Sequence, residues 1–172
     1  LNNKYRNYIY LFIFYSLAHI WILFLSNSLF WDDWSIYGTS KEIINSQFIM
    51  SGRPFFGLIH NFLIQIGLPI YRILTFISFF VTSIFLDKIL KRSNILNSDM
   101  RFGLCLLYLT TPFYIARVTI ICFQYTLCFF LFFFAWFLMN RFRLISIFLF
   151  LMSFTTNSLL VFYCLPFIED FF

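Results

Sequence analysis

The chain has 172 residues; 62% are hydrophobic, 25% aromatic and only 11% charged, against roughly 25% charged in an ordinary soluble domain. A single aqueous core cannot hide that much apolar surface, so the composition excludes an ordinary water-surrounded domain and points to lipid as the main solvent. The net charge of +5 does not indicate nucleic acid, because the basic residues sit in small groups at the ends of apolar runs, as the positive-inside pattern requires.

A membrane-spanning helix takes about 20 apolar residues, and five runs reach or approach that length. The first is Tyr8 to Leu29, broken only by single polar residues such as His19. It is too long for a signal-peptide core and no A-x-A-like site follows it, so it reads as a retained span. The second is Leu68 to Leu86. The third, Phe102 to Ile115, is short and contains Pro112. The fourth is Thr119 to Met139 and the fifth Leu144 to Leu165. His19 is expected to bond to a neighbouring helix. The polar band Thr155, Thr156, Asn157 and Ser158 is expected to make interhelical hydrogen bonds. Cys105, Cys122, Cys128 and Cys164 lie in or beside apolar runs without a C-x-x-C pair, so buried, unpaired thiols are expected.

Between the first two spans lies the most informative stretch. Phe30 to Thr39 reads FWDDWSIYGT, two adjacent carboxylates between two tryptophans. Trp31 and Trp34 are suited to the headgroup depth where indole rings settle. Thr39-Ser40-Lys41-Glu42 fits the S/T-x-x-E capping box, so a helix is predicted over Ser40 to Ser51. Gly52 stops it and Pro54 prevents its continuation. The apolar stripe Ile43, Ile44, Phe48, Ile49 suits a helix lying on the membrane surface. A second short helix, interfacial or re-entrant, is predicted over Phe55 to Ile66, closed by Gly67 and Pro69.

Lys4, Arg6, Lys88, Lys91, Arg92, Arg101, Arg141 and Arg143 fall on one side of such a topology, eight of the 12 basic residues. Lys41, Arg53, Arg72 and Arg117 fall on the other. The excess places the N-terminus in the cytoplasm and the acidic loop outside. The expected fold is therefore all-α: a polytopic helical membrane protein with about five transmembrane helices and two short interfacial helices in the first outer loop. Residues 1–172 are expected to form a single membrane domain in the inner (plasma) membrane.

The order of an acidic pair after the first span, then a capped surface helix, then a Gly-Arg-Pro turn resembles the GT-C superfamily of integral-membrane glycosyltransferases. The residues that carry the likeness are Asp32-Asp33 in FWDDWSIYGTS, the helix SKEIINSQFIMS, and GRPFFGLIHNFLIQIG. Within that superfamily the chain looks most like bacterial enzymes that add glucosyl or related groups to cell-surface polysaccharide, of the O-antigen-modifying type. The stretch SFTTNSLLVFYCLP resembles that group more loosely. The clear likeness covers roughly residues 8 to 92. Members of the superfamily are longer, so the chain is expected to be the N-terminal part of a larger module.

The resemblance implies transfer of a sugar from a polyprenyl-phosphate-linked donor to a polysaccharide or lipid acceptor on the outer face. A sugar hydroxyl is a poor nucleophile, and a carboxylate within reach can take its proton as it attacks. Asp32 is the first choice for that base and Asp33 the second; neighbours in an extended stretch point opposite ways, leaving the other acid to fix the loop or hold a metal. The leaving phosphate needs positive charge, for which Arg53 ranks first, Arg117 second and Arg72 third. His60, Trp34 and Tyr37 are candidate substrate contacts. No cofactor is expected, no Cys/His cluster has metal-ligand spacing, and a divalent ion at the acidic pair stays open. The partners are the lipid-linked sugar, the acceptor and membrane lipid, with no nucleic acid. Two other classes fit the composition: a transporter or flippase subunit for polysaccharide precursors, and a non-enzymatic membrane assembly protein, which needs no acidic pair. Solvated loop acids and ordinary headgroup-binding arginines are the bland alternatives at these positions.

Overall fold

The structure is a computed structural model that describes residues 3–25, 27–92, 94–111, 118–154 and 164–169. The described residues form nine α-helices and one 3-10 turn, with no strand. They are α1 (Asn3–His19), α2 (Trp21–Phe24), the 3-10 turn Trp31–Ser35, α3 (Lys41–Met50), α4 (Pro54–Ile66), α5 (Leu68–Arg92), α6 (Ser98–Thr110), α7 (Phe123–Leu138), α8 (Arg143–Ser153) and α9 (Cys164–Glu169). Among them one helix, α5, is long and apolar enough to cross a membrane. Its 25 residues span about 37 Å at 1.5 Å per residue, more than the ~30 Å of a hydrocarbon core.

The first apolar run does not form one helix. Helix α1 ends at His19 and the short α2 follows. The indole of Trp21 donates to the Ala18 carbonyl at 2.9 Å, occupying an acceptor that a continuing helix would use, and Leu23 N bonds Ile20 O at the tighter i→i+3 spacing. Ser28 N bonds Leu25 O at 3.1 Å, and Phe30, extended at φ -130 and ψ 142, leads into the acidic turn. Helix α5 runs past Leu86 to Arg92, and α7 starts later than expected, at Phe123. Most of the second half of the predicted fifth span, with the Thr155–Ser158 band, lies outside the described residues.

The α3–α4 hairpin follows its sequence closely. Ser40 is the N-cap, its Oγ accepting from Ile43 N at 3.4 Å. The cap is thus one residue later than the Thr39 box predicts. Thr39 Oγ1 donates instead to Ser35 O at 3.0 Å. Helix α3 ends in a Schellman motif: Gly52 N bonds Ile49 O and Arg53 N bonds Phe48 O, with Gly52 at φ 74, where only glycine sits without strain. Pro54 then opens α4 at a position where its missing N–H costs nothing.

Helix α3 packs on α4 through a close approach. A Cβ on Gly57 would lie 2.9 Å from Asn45 Oδ1 and 3.3 Å from Asn45 Cα. Asn45 Oδ1 accepts from Asn61 Nδ2 at 2.8 Å, and the same amide reaches Lys41 O at 3.3 Å. The predicted apolar stripe of α3 splits: Ile44 and Phe48 are buried, whereas Ile43 and Ile49 are exposed beside Met50.

Two cores share α5. One, from α3, α4, α5, α7 and α8, includes Ile44, Phe48, Phe56, Phe123 and Phe132. The other, from α1, α5 and α6, includes Leu11, Tyr15, Phe76 and Leu109. Arg92 ties α5 to the end of α7 by donating to the carbonyls of Trp136 and Phe137, in the last turn, where carbonyls lose their i+4 partners. Asp87 joins α5 to α6 through a 3.1 Å ion pair with Arg101.

Polar side chains point inward and large apolar ones outward on several helices. On α4 His60 and Asn61 are buried while Leu58, Phe62 and Ile66 are exposed. On α5 Arg72, Thr75, Thr82 and Ser83 are buried while Ile73 and Ile77 are exposed. On α8 Ser146 and Ser153 are buried beneath exposed Leu144, Ile147, Phe148 and Leu151. Cys105 and Cys128 are buried as expected, but Cys164 is exposed; none of the four cysteines is in a disulfide.

Candidate functional site

The acidic pair lies on a 3-10 turn, Trp31–Ser35, rather than on extended chain. The two carboxylates still diverge, because successive residues of a 3-10 turn are about 120° apart. Asp32 is exposed and Asp33 is fully buried.

Asp33 is held by three backbone amides. Its Oδ2 accepts from Phe30 N at 2.9 Å, which closes the turn on itself. Its Oδ1 accepts from Ile120 N at 2.7 Å and Ile121 N at 3.2 Å. Those amides are available because residues 118–122 form turns and α7 begins only at Phe123. The same carboxylate thus shapes the acidic turn and fastens it to the approach to α7. Between Phe30 and Asp33, Trp31 adopts φ 50, a left-handed conformation that costs a bulky residue roughly 1–3 kcal/mol and persists only where its surroundings impose it. The Phe30–Asp33 bond spans that residue and imposes it.

Arg53 reaches the same stretch from the other side. It stands at the N-cap of α4, its Nη1 donates to Gln124 Oε1 at 3.0 Å, and its guanidinium lies 5.8 Å from the centre of the Tyr125 ring. A cleft of about 180 Å³ opens beside it, lined by Ile36, Phe48, Ser51, Ile121 and Gln124 among others. Ile121 therefore serves both residues: its amide bonds Asp33 and its side chain lines the Arg53 cleft. Among the described residues the bond to Gln124 engages one of the guanidinium's five N–H donors.

The remaining candidates part company. Trp34 and Tyr37 are exposed, at 68% and 44%, and flank the acidic turn. His60 is not at the surface: it is wholly buried, stacked on Phe48 at 4.9 Å, with Nδ1 3.0 Å from the Tyr71 hydroxyl. Burial pushes its pKa down to about 4, so the imidazole is neutral at physiological pH. Its place is in the core, and the ring does not reach the surface for the expected substrate contact. Arg72 is likewise buried, its Nη2 donating to Ser28 O at 2.8 Å and its guanidinium lying 5.7 Å from the centre of the Phe30 ring. It braces the chain entering the acidic turn from below. Arg117 lies outside the described residues. No family model, curated protein or solved structure matches the chain.

An ion shared between the two acids does not fit this geometry. Both oxygens of Asp33 are engaged by amides in a dry setting while Asp32 faces outward. Among the described residues no group of three or more His, Cys, Asp or Glu converges. Two functional partners escape sequence reading. Gln124 is legible only as a lone amide in an apolar run. The amides of Ile120 and Ile121 carry no side-chain signal at all.

Proposed function

We propose that the chain is a glycosyltransferase module, or the N-terminal part of one, that moves a sugar from a polyprenyl-phosphate-linked donor to a polysaccharide or lipid acceptor at the outer membrane–water boundary. The reading of a polytopic membrane protein is supported by the inverted side-chain pattern of α4, α5 and α8. Polar groups such as His60, Arg72 and Ser146 face the interior, and phenylalanine and leucine face out. In water that arrangement is costly; in hydrocarbon it is the favourable one.

The observation that carries the catalytic reading is the division of labour between the acids. Asp33 is consumed by the fold, whereas Asp32 stands exposed on the turn that Asp33 holds rigid. A general base must first reach the proton it removes, and of the two only Asp32 is placed to meet an incoming hydroxyl. Rigidity matters because a base displaced by about 1 Å loses much of its effect. Arg53, on the α4 side of the segment that Asp33 grips, is the group suited to the donor phosphate, with a planar fork that matches two phosphate oxygens. Trp34 and Tyr37 offer flat exposed faces to a sugar ring beside Asp32. Asp33 has a positioning role.

The test is sugar transfer from a polyprenyl-linked donor, in membranes expressing the full protein or its variants at equal level. Asp32→Asn is expected to lower transfer by about 10²-fold or more. Full activity in the Asp32→Asn variant would overturn the mechanism and leave the acid as a solvated loop residue.

A further inference from the structure

At the end of the molecule remote in sequence from the acidic turn, α1, α5 and α6 enclose a polar cavity of about 390 Å³. Its wall includes Arg6, Asn7 and Tyr8 from α1, Asp87 and Lys91 from α5, and Arg101 from α6. Asp87 is already satisfied. Arg101 Nε pairs with it at 3.1 Å and the Tyr8 hydroxyl donates to it at 2.7 Å. Arg101 also donates to Leu96 O at 3.1 Å. These bonds cancel one cation against one carboxylate and fix the floor of the cavity. Arg6 and Lys91 make no ion pair among the described residues, and the remaining wall carboxylate, Asp99, is exposed. The cavity therefore keeps an excess of positive charge. The α6 N-terminus is not its source of attraction, since Asn97 Oδ1 caps Met100 N at 2.8 Å.

A second feature adjoins it. An open groove of about 480 Å³ runs between α1 and α5, lined by Tyr5, Tyr8, Ile9, Phe12 and Phe80. Phe12 and Phe80 close its floor edge to face at 5.1 Å. Tyr8 belongs to both features: its hydroxyl faces Asp87 in the polar cavity and its ring lines the apolar groove. A polar cavity roomy enough for a phosphate headgroup thus shares a wall residue, Tyr8, with a groove lined by apolar side chains and tyrosines.

We propose that this composite site binds one anionic phospholipid, its phosphate held by Arg6 and Lys91 and an acyl chain lying in the α1–α5 groove. The proposal rests on the membrane reading above, though not on the glycosyltransferase reading. With the N-terminus cytoplasmic, the site opens on the leaflet where basic pockets between helices meet anionic headgroups. The joining of the two features at Tyr8 selects a lipid over a free phosphate, because a free anion would use the cavity and leave the groove bare. A bound lipid would bridge α1 and α5, which lie before and after the acidic loop in the chain. Asp99 opposes the headgroup charge and keeps the site from holding its lipid irreversibly.

Native mass spectrometry of the full chain, released from neutral detergent with phosphatidylglycerol, phosphatidylcholine or inorganic phosphate, tests this. One phosphatidylglycerol is expected to bind in preference to phosphatidylcholine. Arg6→Gln and Lys91→Gln should each weaken it about fivefold, the value of one basic residue at an anionic surface, and Asp99→Asn should tighten it. Phe80→Ala should weaken phosphatidylglycerol binding while leaving any binding of inorganic phosphate unchanged. Arg143→Gln, which removes an exposed charge on the same side but outside the site, should change nothing. Equal binding of the two lipids would overturn the proposal. So would unchanged affinity in the Arg6→Gln, Lys91→Gln double variant, or a loss with Arg143→Gln as large as with Arg6→Gln. Inorganic phosphate binding as tightly as the lipid would replace the lipid with a free anion. None of these outcomes bears on sugar transfer.

Discussion

Asp33 Oδ1 and the amide of Ile120 meet at 2.7 Å across 87 positions of sequence. This one bond, with its companion to Ile121, joins the turn after the first apolar run to the entry of α7. It converts a surface loop into a fixed platform for the neighbouring exposed carboxylate of Asp32. Removing the Asp33 carboxylate should therefore unfasten two segments at once. Asp33→Ala leaves three backbone donors without their acceptor, in a site closed to water. A hydrogen bond to a charged group is worth about 1.5–3 kcal/mol, so a loss of that order or more is expected. Asp33→Asn, with one acceptor oxygen, should serve Phe30 or the Ile120–Ile121 pair but not both, and should fall between. Thermal unfolding in detergent, with amide exchange read at Ile120 and Ile121, checks this. Unchanged exchange in Asp33→Ala would show that the clasp does not hold the platform.

Legibility in the sequence followed the range of the interactions involved. The α3–α4 turn was readable because its geometry is set locally, by Gly52 at positive φ and Pro54 at the first helical position. The cap was misplaced by one residue because Thr39 and Ser40 are chemically alike, and a bond from Thr39 to the Ser35 carbonyl decided between them. The break after His19 was not legible, since it comes from an indole turning back onto a carbonyl within an unbroken apolar run. The acidic pair stood out as composition, and its divergence follows from adjacency. Which acid points inward depends on amides 87 and 88 positions away, beyond any local pattern. His60 shows the same limit: polarity in a short apolar helix suggested a surface contact, but the imidazole stacks on Phe48 and turns inward.

Gly57→Ala tests the α3–α4 contact. In an open helix this change gains about 1 kcal/mol of helix propensity. Here the added methyl would meet Asn45 Oδ1 at 2.9 Å and Asn45 Cα at 3.3 Å. The amide cannot swing away freely, because it is bonded to Asn61, and the Cα belongs to backbone. Overpacking of this kind costs typically 1–3 kcal/mol, so a net loss of stability is expected. An Asn45→Ala background should relieve much of the clash. A more stable Gly57→Ala single variant would mean that the two helices lie further apart than described.

His60 should confer a specific pH dependence. Its folded pKa lies near 4 because burial penalises the imidazolium, whereas an unfolded histidine titrates near 6.5. The folded state therefore binds its proton less readily than the unfolded state. The sign follows: stability is full above about pH 6.5 and declines as pH falls from there toward 4, by about 3 kcal/mol in all. Melting temperatures measured across that window should fall more steeply in the wild-type protein than in His60→Gln, which cannot charge. Parallel curves would place the imidazole in contact with water.

The sharpest test of the proposed chemistry compares Asp32, Asp33 and Arg53 in two assays at once. Asp32→Asn preserves shape, removes the negative charge and with it the ability to take a proton, and lies at an exposed position with no side-chain partner among the described residues. It should leave the melting temperature nearly unchanged while lowering sugar transfer by about 10²-fold or more. Donor-lipid binding should change little, since the phosphate is held elsewhere. Asp33→Asn should lower both transfer and melting temperature, because its effect passes through the position of the turn. Arg53→Ala should weaken donor binding as well as turnover, since phosphate charge is present before and during reaction. It should also loosen Gln124, its partner at 3.0 Å. Arg53→Lys should restore charge but not the planar fork, recovering part of the binding. The two assays separate roles that activity alone would merge. If Asp32→Asn lowers melting temperature and activity together while Asp33→Asn lowers activity alone, the roles of the two acids are exchanged. If neither variant changes transfer, the acidic pair serves the fold and the base must be sought on another element.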